Sequence, residues 1–323
     1  MPFTCPFSSG SAPRRPKAFF LVGPTAVGKS SVAHLLALRF GYEILSADSM
    51  LIYKGMDIGT AKPSASDRQA VPYRGLDLVT PDRTFSAGDY MDYAPVALLD
   101  CCNRGVGVIV AGGTGLYIKC LTEGLDFLPK ADEKIRQEAE RLLQEKGIEA
   151  LQNLLKEKDP ARYEALKDKQ NPRRIIRALE MAAKPEATQE PRRPRPTVPL
   201  AGLAMSSLDL QWRIEQRIVQ MYREGFLDEA RVLRERYPAW SATASQAIGY
   251  AEALAVLDGT MRREEAMGKT MIRTRQLAKR QMTWFRHQAL VEWVTVEASE
   301  SVEQTAAKVA AVWEKYGPTP IAF

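Results

Sequence analysis

Two hydrophobic patterns alternate along the first third of this chain. Short continuous apolar runs, Lys17-Ala-Phe-Phe-Leu-Val22, Tyr42-Glu-Ile-Leu-Ser46 and Gly107-Val-Ile-Val-Ala111, have the length and β-branched content of strands buried on both faces. Between them, Ser31 to Phe40 carries Val32, Leu35 and Leu36 at the three-and-four spacing of an amphipathic helix. Each strand ends in a polar or glycine-rich segment before the next helix. Strands alternating with helices predict a parallel sheet, with ligand groups at the strand carboxyl ends.

From Lys130 the pattern becomes charged and helical. Ile135, Ala139, Leu142 and Leu143 recur at helical spacing, Gly147 is placed as a stop, and further helices are predicted around Ile148 to Lys158 and from Pro172 to Ala183. Lys184 to Pro199 is proline-rich without hydrophobic period and reads as a loop. A returning strand is placed within Leu203 to Leu210, and the rest reads as mostly helical. The expected organisation is a tail over residues 1–16, an α/β core over 17–124 and 199–323, and a helical insertion over 125–198 ending in the proline-rich loop.

The 323 residues carry 45 Lys plus Arg against 39 Asp plus Glu, a formal charge of +6. That excess alone does not distinguish a nucleic-acid partner from solvated charged faces. The net positive charge falls mainly after Pro172, which matters more. Cys5, Cys101, Cys102 and Cys120 form no C-x-x-C pair and have no histidine cluster nearby, arguing against zinc and a disulfide framework and for the cytoplasm. No apolar run is long enough to span a bilayer, and Met1 to Lys17 lacks the apolar core of a signal peptide. His34 and His287 have no second ligand nearby in sequence and are read as structural or surface residues.

The sharpest local chemistry is Gly23-Pro-Thr25-Ala26-Val27-Gly28-Lys29-Ser30, which fits G-x-x-x-x-G-K-[ST] between a strand and a helix. Backbone N–H groups of such a P-loop turn onto phosphate oxygens, and the helix N-terminus adds positive charge. Lys29 is expected to neutralise a phosphate, and Ser30 to ligate Mg²⁺. ATP, GTP and non-nucleotide diphosphates all suit this loop. The fold class is therefore α/β, a P-loop parallel-sheet core with a helical insertion domain. Asp48, at the end of the second strand, is placed as a metal-binding or proton-accepting carboxylate, with an N-cap or Asx turn as the plainer reading. The polar stretch Ser46 to Pro63 has little amphipathic period, which suggests that a ligand orders it.

Beyond these features the chain resembles the tRNA dimethylallyltransferases, from about Lys17 to Gln288. The resemblance rests on the P-loop, on Ala47-Asp-Ser-Met50 with Gly55-Met-Asp-Ile-Gly-Thr-Ala-Lys-Pro63, on Gly112-Gly-Thr-Gly-Leu-Tyr117, on Asn171-Pro-Arg-Arg-Ile-Ile-Arg-Ala-Leu-Glu180, on Ile248-Gly-Tyr250, and on Thr274-Arg-Gln-Leu-Ala-Lys-Arg-Gln-Met-Thr-Trp284. It implies transfer of a dimethylallyl group from dimethylallyl diphosphate to N6 of the adenosine 3′ of the anticodon in tRNA. By the same resemblance Asp48 would be the general base. Thr25, Lys29 and Ser30 would hold the diphosphate with Mg²⁺, within a loop formed by Gly23, Thr25, Ala26, Val27 and Gly28. Arg213 would help to hold the diphosphate. The anticodon stem-loop would be met by Asp48, Ser49, Met50, Leu51, Thr114, Arg136, Arg173, Arg174, Ile175, Ile176 and Arg177, and by Gln246, Ala247, Ile248, Gly249, Tyr250 and Ala251. Leu51-Ile52-Tyr53, Ala251 and Tyr73-Arg74 depart from the common family pattern without removing a group that the chemistry needs.

The residue types suit this reaction. An exocyclic adenine amine is a weak nucleophile and benefits from proton removal, while a departing diphosphate needs cations arranged in advance. Arg275, Lys279 and Arg286 fall within about 40° of one another on a helix turning roughly 100° per residue, opposite Leu277 and Trp284; Arg273 and Arg280 lie off that stripe. Arg173, Arg174 and Arg177 near a helix start oppose the helix dipole, which favours an external anion such as RNA phosphate. Two other readings stay open: a small-molecule kinase with ATP in the loop, and a non-catalytic RNA-binding module. The protein is expected to act as a monomer.

Overall fold

The computed structural model describes residues 16–124, 133–183 and 197–322. The anticipated N-terminal tail and most of the proline-rich segment lie outside the described residues. The chain divides into two compact units, residues 1–124 with 195–323, and residues 125–194.

The larger unit is built on a sheet. Strands β1 (Lys17–Val22), β2 (Glu43–Ser46), β3 (Tyr73–Arg74), β4 (Val108–Gly112), β5 (Leu200–Ala204) and β6 (Val291–Thr295) pair in the order β3-β2-β4-β1-β5-β6, all in parallel, and the short β7 (Thr319–Pro320) adds antiparallel to β1. Alternation along β1 decides the two cores. Phe19 and Leu21 pack with α1 (Lys29–Phe40) and α12 (Val302–Tyr316), whereas Ala18, Phe20 and Val22 face α3 (Ala87–Asn103) and α4 (Gly115–Glu123). Trp313 donates its indole N–H to Phe20 O at 3.2 Å, tying α12 to the central strand. The returning strand lies earlier than expected, at Leu200–Ala204, because Ser206 caps Asp209 N–H and starts helix α8 (Ser207–Arg223). Strands β6 and β7 interrupt a tail read as helical.

A third apolar cluster lies beyond the P-loop and the end of β2. Ile52, Tyr53 and Met56 meet α8, α9 (Phe226–Arg236), α10 (Tyr250–Leu257) and α11 (Arg263–Gln288) there. Between β2 and β3 runs α2 (Ala65–Ala70), capped at Ser64 by a reciprocal capping box with Asp67.

The smaller unit contains α5 (Glu133–Lys158), α6 (Pro160–Ala165) and α7 (Pro172–Ala182) around Ala139, Leu151, Leu155, Tyr163, Ile175 and Leu179. Gly147, with φ 75°, breaks α5 into two helical pieces where a stop was expected. Asn171 accepts the Arg173 N–H at 3.1 Å and Pro172 opens α7, as its missing donor allows.

Candidate active site

A cavity of about 980 Å³ opens at the carboxyl ends of β1, β2 and β4. The P-loop forms one wall. Gly23 (φ 143°) leaves β1 where a Cβ would stand 2.6 Å from Leu203 O, and Gly28 (φ 105°) turns the chain into α1. The Lys29 ammonium donates to Pro24 O at 2.6 Å. Burial pushes this lysine down to about 8; nearby Asp48 raises it, though by less than burial lowers it, and Arg217 lowers it further.

Asp48 stands on the loop after β2. Its Oδ1 accepts the Met50 N–H at 2.9 Å, so the Asx turn exists and leaves Oδ2 for chemistry. The loop after β4 braces it. Thr114 Oγ1 accepts the Ser49 N–H at 2.9 Å, and the Thr114 N–H donates to Ala47 O at 3.1 Å. Gly112 permits this approach, since a Cβ there would lie 2.2 Å from Ala47 O.

Helix α8 supplies cations and an apolar surface together. Arg213 Nη1 donates to Val27 O at 3.3 Å, and Arg217 Nη2 to Thr60 O at 3.1 Å. Burial holds Arg217 below the ordinary guanidinium value, opposed by Asp48. Ile214, Ile218 and Met221 line the cavity beside these arginines. Helix α11 adds Arg273, Thr274, Leu277, Arg280 and Gln281 to the lining. A carboxylate, a P-loop and five cations, Lys29, Arg213, Arg217, Arg273 and Arg280, thus share one cleft that mixes polar and apolar walls.

The chain matches the IPP transferase family over residues 51–288. It is 43% identical to a tRNA dimethylallyltransferase of Geobacter metallireducens over 84% of this chain and 90% of that protein. It is 38% identical to one of Halalkalibacterium halodurans over 86% and 90%. The chain belongs to the tRNA dimethylallyltransferase family. It is accordingly an enzyme of the prenyltransferase class, and the small-molecule kinase reading falls away. The structure resembles the full-length tRNA isopentenylpyrophosphate transferase of Bacillus halodurans, with 35% identity, a TM-score of 0.66 and coverage of 94% and 98%. A eukaryotic dimethylallyltransferase acting on tRNA, 23% identical with a TM-score of 0.73 over 94% of this chain and 76% of that one, shares the fold.

Most residues that the sequence singled out in this dimethylallyltransferase core meet in the cleft. Thr25, Ala26, Gly28, Lys29, Ser30, Asp48, Ser49, Met50, Leu51, Thr114, Arg213, Gln246, Ala247 and Ile248 line it. Val27 packs into the core beneath the loop. Tyr250 is fully buried and donates to Glu229 Oε1 at 2.7 Å, so its side chain is a positioning element rather than the RNA contact expected of it. Gly249 gives its N–H to Glu252, and Ala251 is exposed.

The polar stretch Ser46 to Pro63 needs no ligand to order it. Glu229 accepts the N–H groups of Asp57, Ile58 and Gly59 at 2.9, 2.7 and 3.1 Å. The buried Lys62 side chain reaches Asp57 and Asp77, both at 2.6 Å, and Tyr53 O.

In the helical unit two expectations change. Ile175 and Ile176 are core residues, 0% and 6% exposed, so contact with RNA by their side chains is corrected by burial. Arg136 and Arg177 both pair with the buried Glu180 carboxylate, at 3.1 and 2.6 Å, which supplies an anion from within the unit. Arg173 and Arg174 are exposed at the start of α7.

Arg217, Arg273, Arg280 and Gln281 went unassigned from sequence. The signal for Arg217 was present, since it follows Arg213 by four residues and shares its helix face. On α11 the stripe residue Arg275 sits near Glu215 at 3.8 Å, while the off-stripe Arg273 and Arg280 line the cleft.

Proposed function

We propose that this protein transfers a dimethylallyl group from dimethylallyl diphosphate to N6 of the adenosine 3′ of the anticodon in tRNA, releasing diphosphate. The observation that carries the reading is the placement of Asp48 in the same cleft as the P-loop and the cations Lys29, Arg213 and Arg217. A cavity of about 980 Å³ has room for a nucleobase beside a five-carbon diphosphate. A base in a stacked anticodon loop must leave its stack to enter such a site.

In this scheme the C1–O bond of the donor breaks and its electron pair leaves on the diphosphate, held by P-loop N–H groups, Lys29, Arg213 and Arg217. The N6–C1 bond forms, and the amine proton passes to Asp48 Oδ2 while Met50 N–H fixes Oδ1. The apolar residues Ile214, Ile218 and Met221 receive the prenyl tail, one short step along α8 from the arginines.

Among the described residues no group of three His, Cys, Asp or Glu side chains is arranged to hold a metal. That suits Mg²⁺, which takes few protein ligands and completes its shell with phosphate oxygens and water; the exposed Ser30 hydroxyl at the loop would be its protein ligand. When bound, it would neutralise charge growing on the diphosphate.

Partner and place of action belong to the same reading. The anticodon stem-loop is met by Ser49, Met50, Leu51, Thr114 and the 246–248 segment, all lining the cleft, and by exposed Arg173 and Arg174. The working form is read as a monomer. Cys101, Cys102 and Cys120 are free thiols, and no described helix is long and apolar enough to cross a membrane; we read the site of action as the cytoplasm.

The test incubates purified protein with dimethylallyl diphosphate, Mg²⁺ and unmodified tRNA, followed by mass spectrometry of the nucleosides. A prenylated adenosine is expected. Asp48→Ala should lower turnover by about 10²- to 10⁴-fold while tRNA affinity is largely kept. Normal turnover in that variant removes Asp48 as the base, and tight tRNA binding with no donor-dependent product would return the non-catalytic reading.

A further inference from the structure

We infer that Gln281 is a positioning residue that sets the distance between the leaving-group cradle and the base. The inference rests on the prenyl-transfer reading above and adds a residue to which that reading gave no role.

Three loops must hold their spacing for the reaction: the P-loop, the loop carrying Asp48, and the Gly113-Thr114 turn after β4. Strand pairing fixes their roots, but each loop projects past the last ladder hydrogen bond. The second and third loops are joined directly, because Thr114 takes the Ser49 N–H and gives its own N–H to Ala47 O. The P-loop is joined to this pair by the Gln281 side chain. Gln281 Oε1 accepts the Thr25 N–H at 2.8 Å, and Gln281 Nε2 donates to Gly113 O at 3.1 Å.

Both halves of the primary amide are used, each on a main-chain group, which only a group with one acceptor and one donor at this reach can do. The fit is tight as well as polar. A Cβ on residue 113 would lie 2.3 Å from Gln281 Nε2, so glycine at 113 is what lets the amide enter. The bond has a further consequence for the cradle. In a phosphate loop the main-chain N–H groups are the expected anion donors, yet the Thr25 N–H is engaged by Gln281. Phosphate recognition at Thr25 therefore falls to its hydroxyl, and the Thr25 main chain serves as the anchor of the brace.

Without the amide, the P-loop keeps its own turn but loses its fixed offset from the β4 loop and from Asp48. The reacting carbon, held by its diphosphate, then sits at a variable distance from the amine that Asp48 activates. Misplacement by about 1 Å is worth on the order of 10²-fold in rate. The effect belongs to the bound complex, so it appears in the rate at saturation and not in tRNA affinity.

The test compares wild type with Gln281→Met, which keeps length and loses both bonds, and with Gln281→Glu, which keeps the acceptor for Thr25 and replaces the donor to Gly113 by a second acceptor. Single-turnover prenylation is measured with both substrates saturating, together with the donor KM, the tRNA Kd and the thermal midpoint. The wild-type protein tests the function itself, and only the ratios of variant to wild type bear on Gln281. The expected result for Gln281→Met is a fall of about 10²-fold in the saturated rate, a tRNA Kd within twofold and an unchanged midpoint. Gln281→Glu, with one arm kept and one opposed, should also fall by more than tenfold. If Gln281→Met does not fold, the Gln281→Glu rate decides alone. A saturated rate within twofold of wild type in either folded variant overturns the inference. So does a loss confined to tRNA affinity, which would make Gln281 an RNA contact.

Discussion

Raising the pH past 8 should weaken donor binding, and Lys29 should be the reason. Burial brings its ammonium down from 10.5 to about 8, with Asp48 opposing and Arg217 adding to the fall. A diphosphate beside the amine favours its charged form, so the bound state holds the proton to higher pH than the free enzyme does. Below 8 the cation is already in place and binding takes up no proton. Above 8, binding must draw one from solvent, and the donor KM climbs by up to tenfold per pH unit until the pKa of the complex is reached. Between pH 7.0 and 9.5 the rise amounts to about 30-fold. The gap between 10.5 and 8 corresponds to about 3.4 kcal/mol, the most that restoring an ordinary lysine environment can return.

The assay is donor KM from single turnovers at saturating tRNA over that range, which lies above the titration of a phosphate near pH 6. Lys29→Arg keeps its charge throughout and should give a flat KM, even if its absolute value is worse. A flat profile for the wild type refutes the argument. An equal rise in Lys29→Arg refutes it too, by assigning the titration to another group.

Other outcomes follow from the same geometry. Arg217→Ala removes a half-buried cation from the leaving-group side and should lower the saturated rate by about 10²- to 10³-fold with tRNA affinity retained; an unchanged rate would leave Arg213 as the only α8 cation needed. Gly112→Ala places a Cβ 2.2 Å from Ala47 O, a main-chain atom that cannot step aside, and should cost about 1 to 3 kcal/mol in urea unfolding. Arg177→Ala leaves the 1%-exposed Glu180 with Arg136 alone and should speed amide exchange in α7, reflecting about 1 to 3 kcal/mol. If exchange is unchanged while tRNA binding weakens, Arg177 acts on RNA.

Much of the core was legible because its signals are local. A strand, a glycine turn and a helix occupy adjacent residues in Lys17 to Phe40, and each fixes its neighbour's reading. Gly147 and Asn171-Pro172 mark helix boundaries through backbone chemistry that needs no tertiary context. The sequence places the returning strand late, over Leu203 to Leu210, because the real one contains Gly202 and follows Pro199, both weak strand signals. Gly202 is there for a reason outside its own segment, since a Cβ would meet Val291 at 2.3 Å and Trp293 at 2.9 Å. Strand β6 (Val291–Thr295) was lost behind a 26-residue helix whose end carries no glycine stop.

The cleft divides along the same line. Its residues at the ends of β1 and β2, Lys29 and Asp48, could be named from spacing because the sheet brings strand ends together whatever packs around them. Residues on α8 and α11 could not, since a helix has several polar directions and only its packing chooses which one meets the site. Helix α11 shows why charge is a poor guide to that choice. Ala266, Thr270, Ala278 and Phe285 are its buried residues, and small side chains among them let the helix sit close enough for Arg273 and Gln281 to reach the cavity. The chemistry follows the close-packed seam beside those small residues, and the conspicuous stripe of Arg275, Lys279 and Arg286 runs elsewhere. Arg273 and Gln281 each follow a small buried residue, Thr270 and Ala278, by three positions, which turns both toward the cleft.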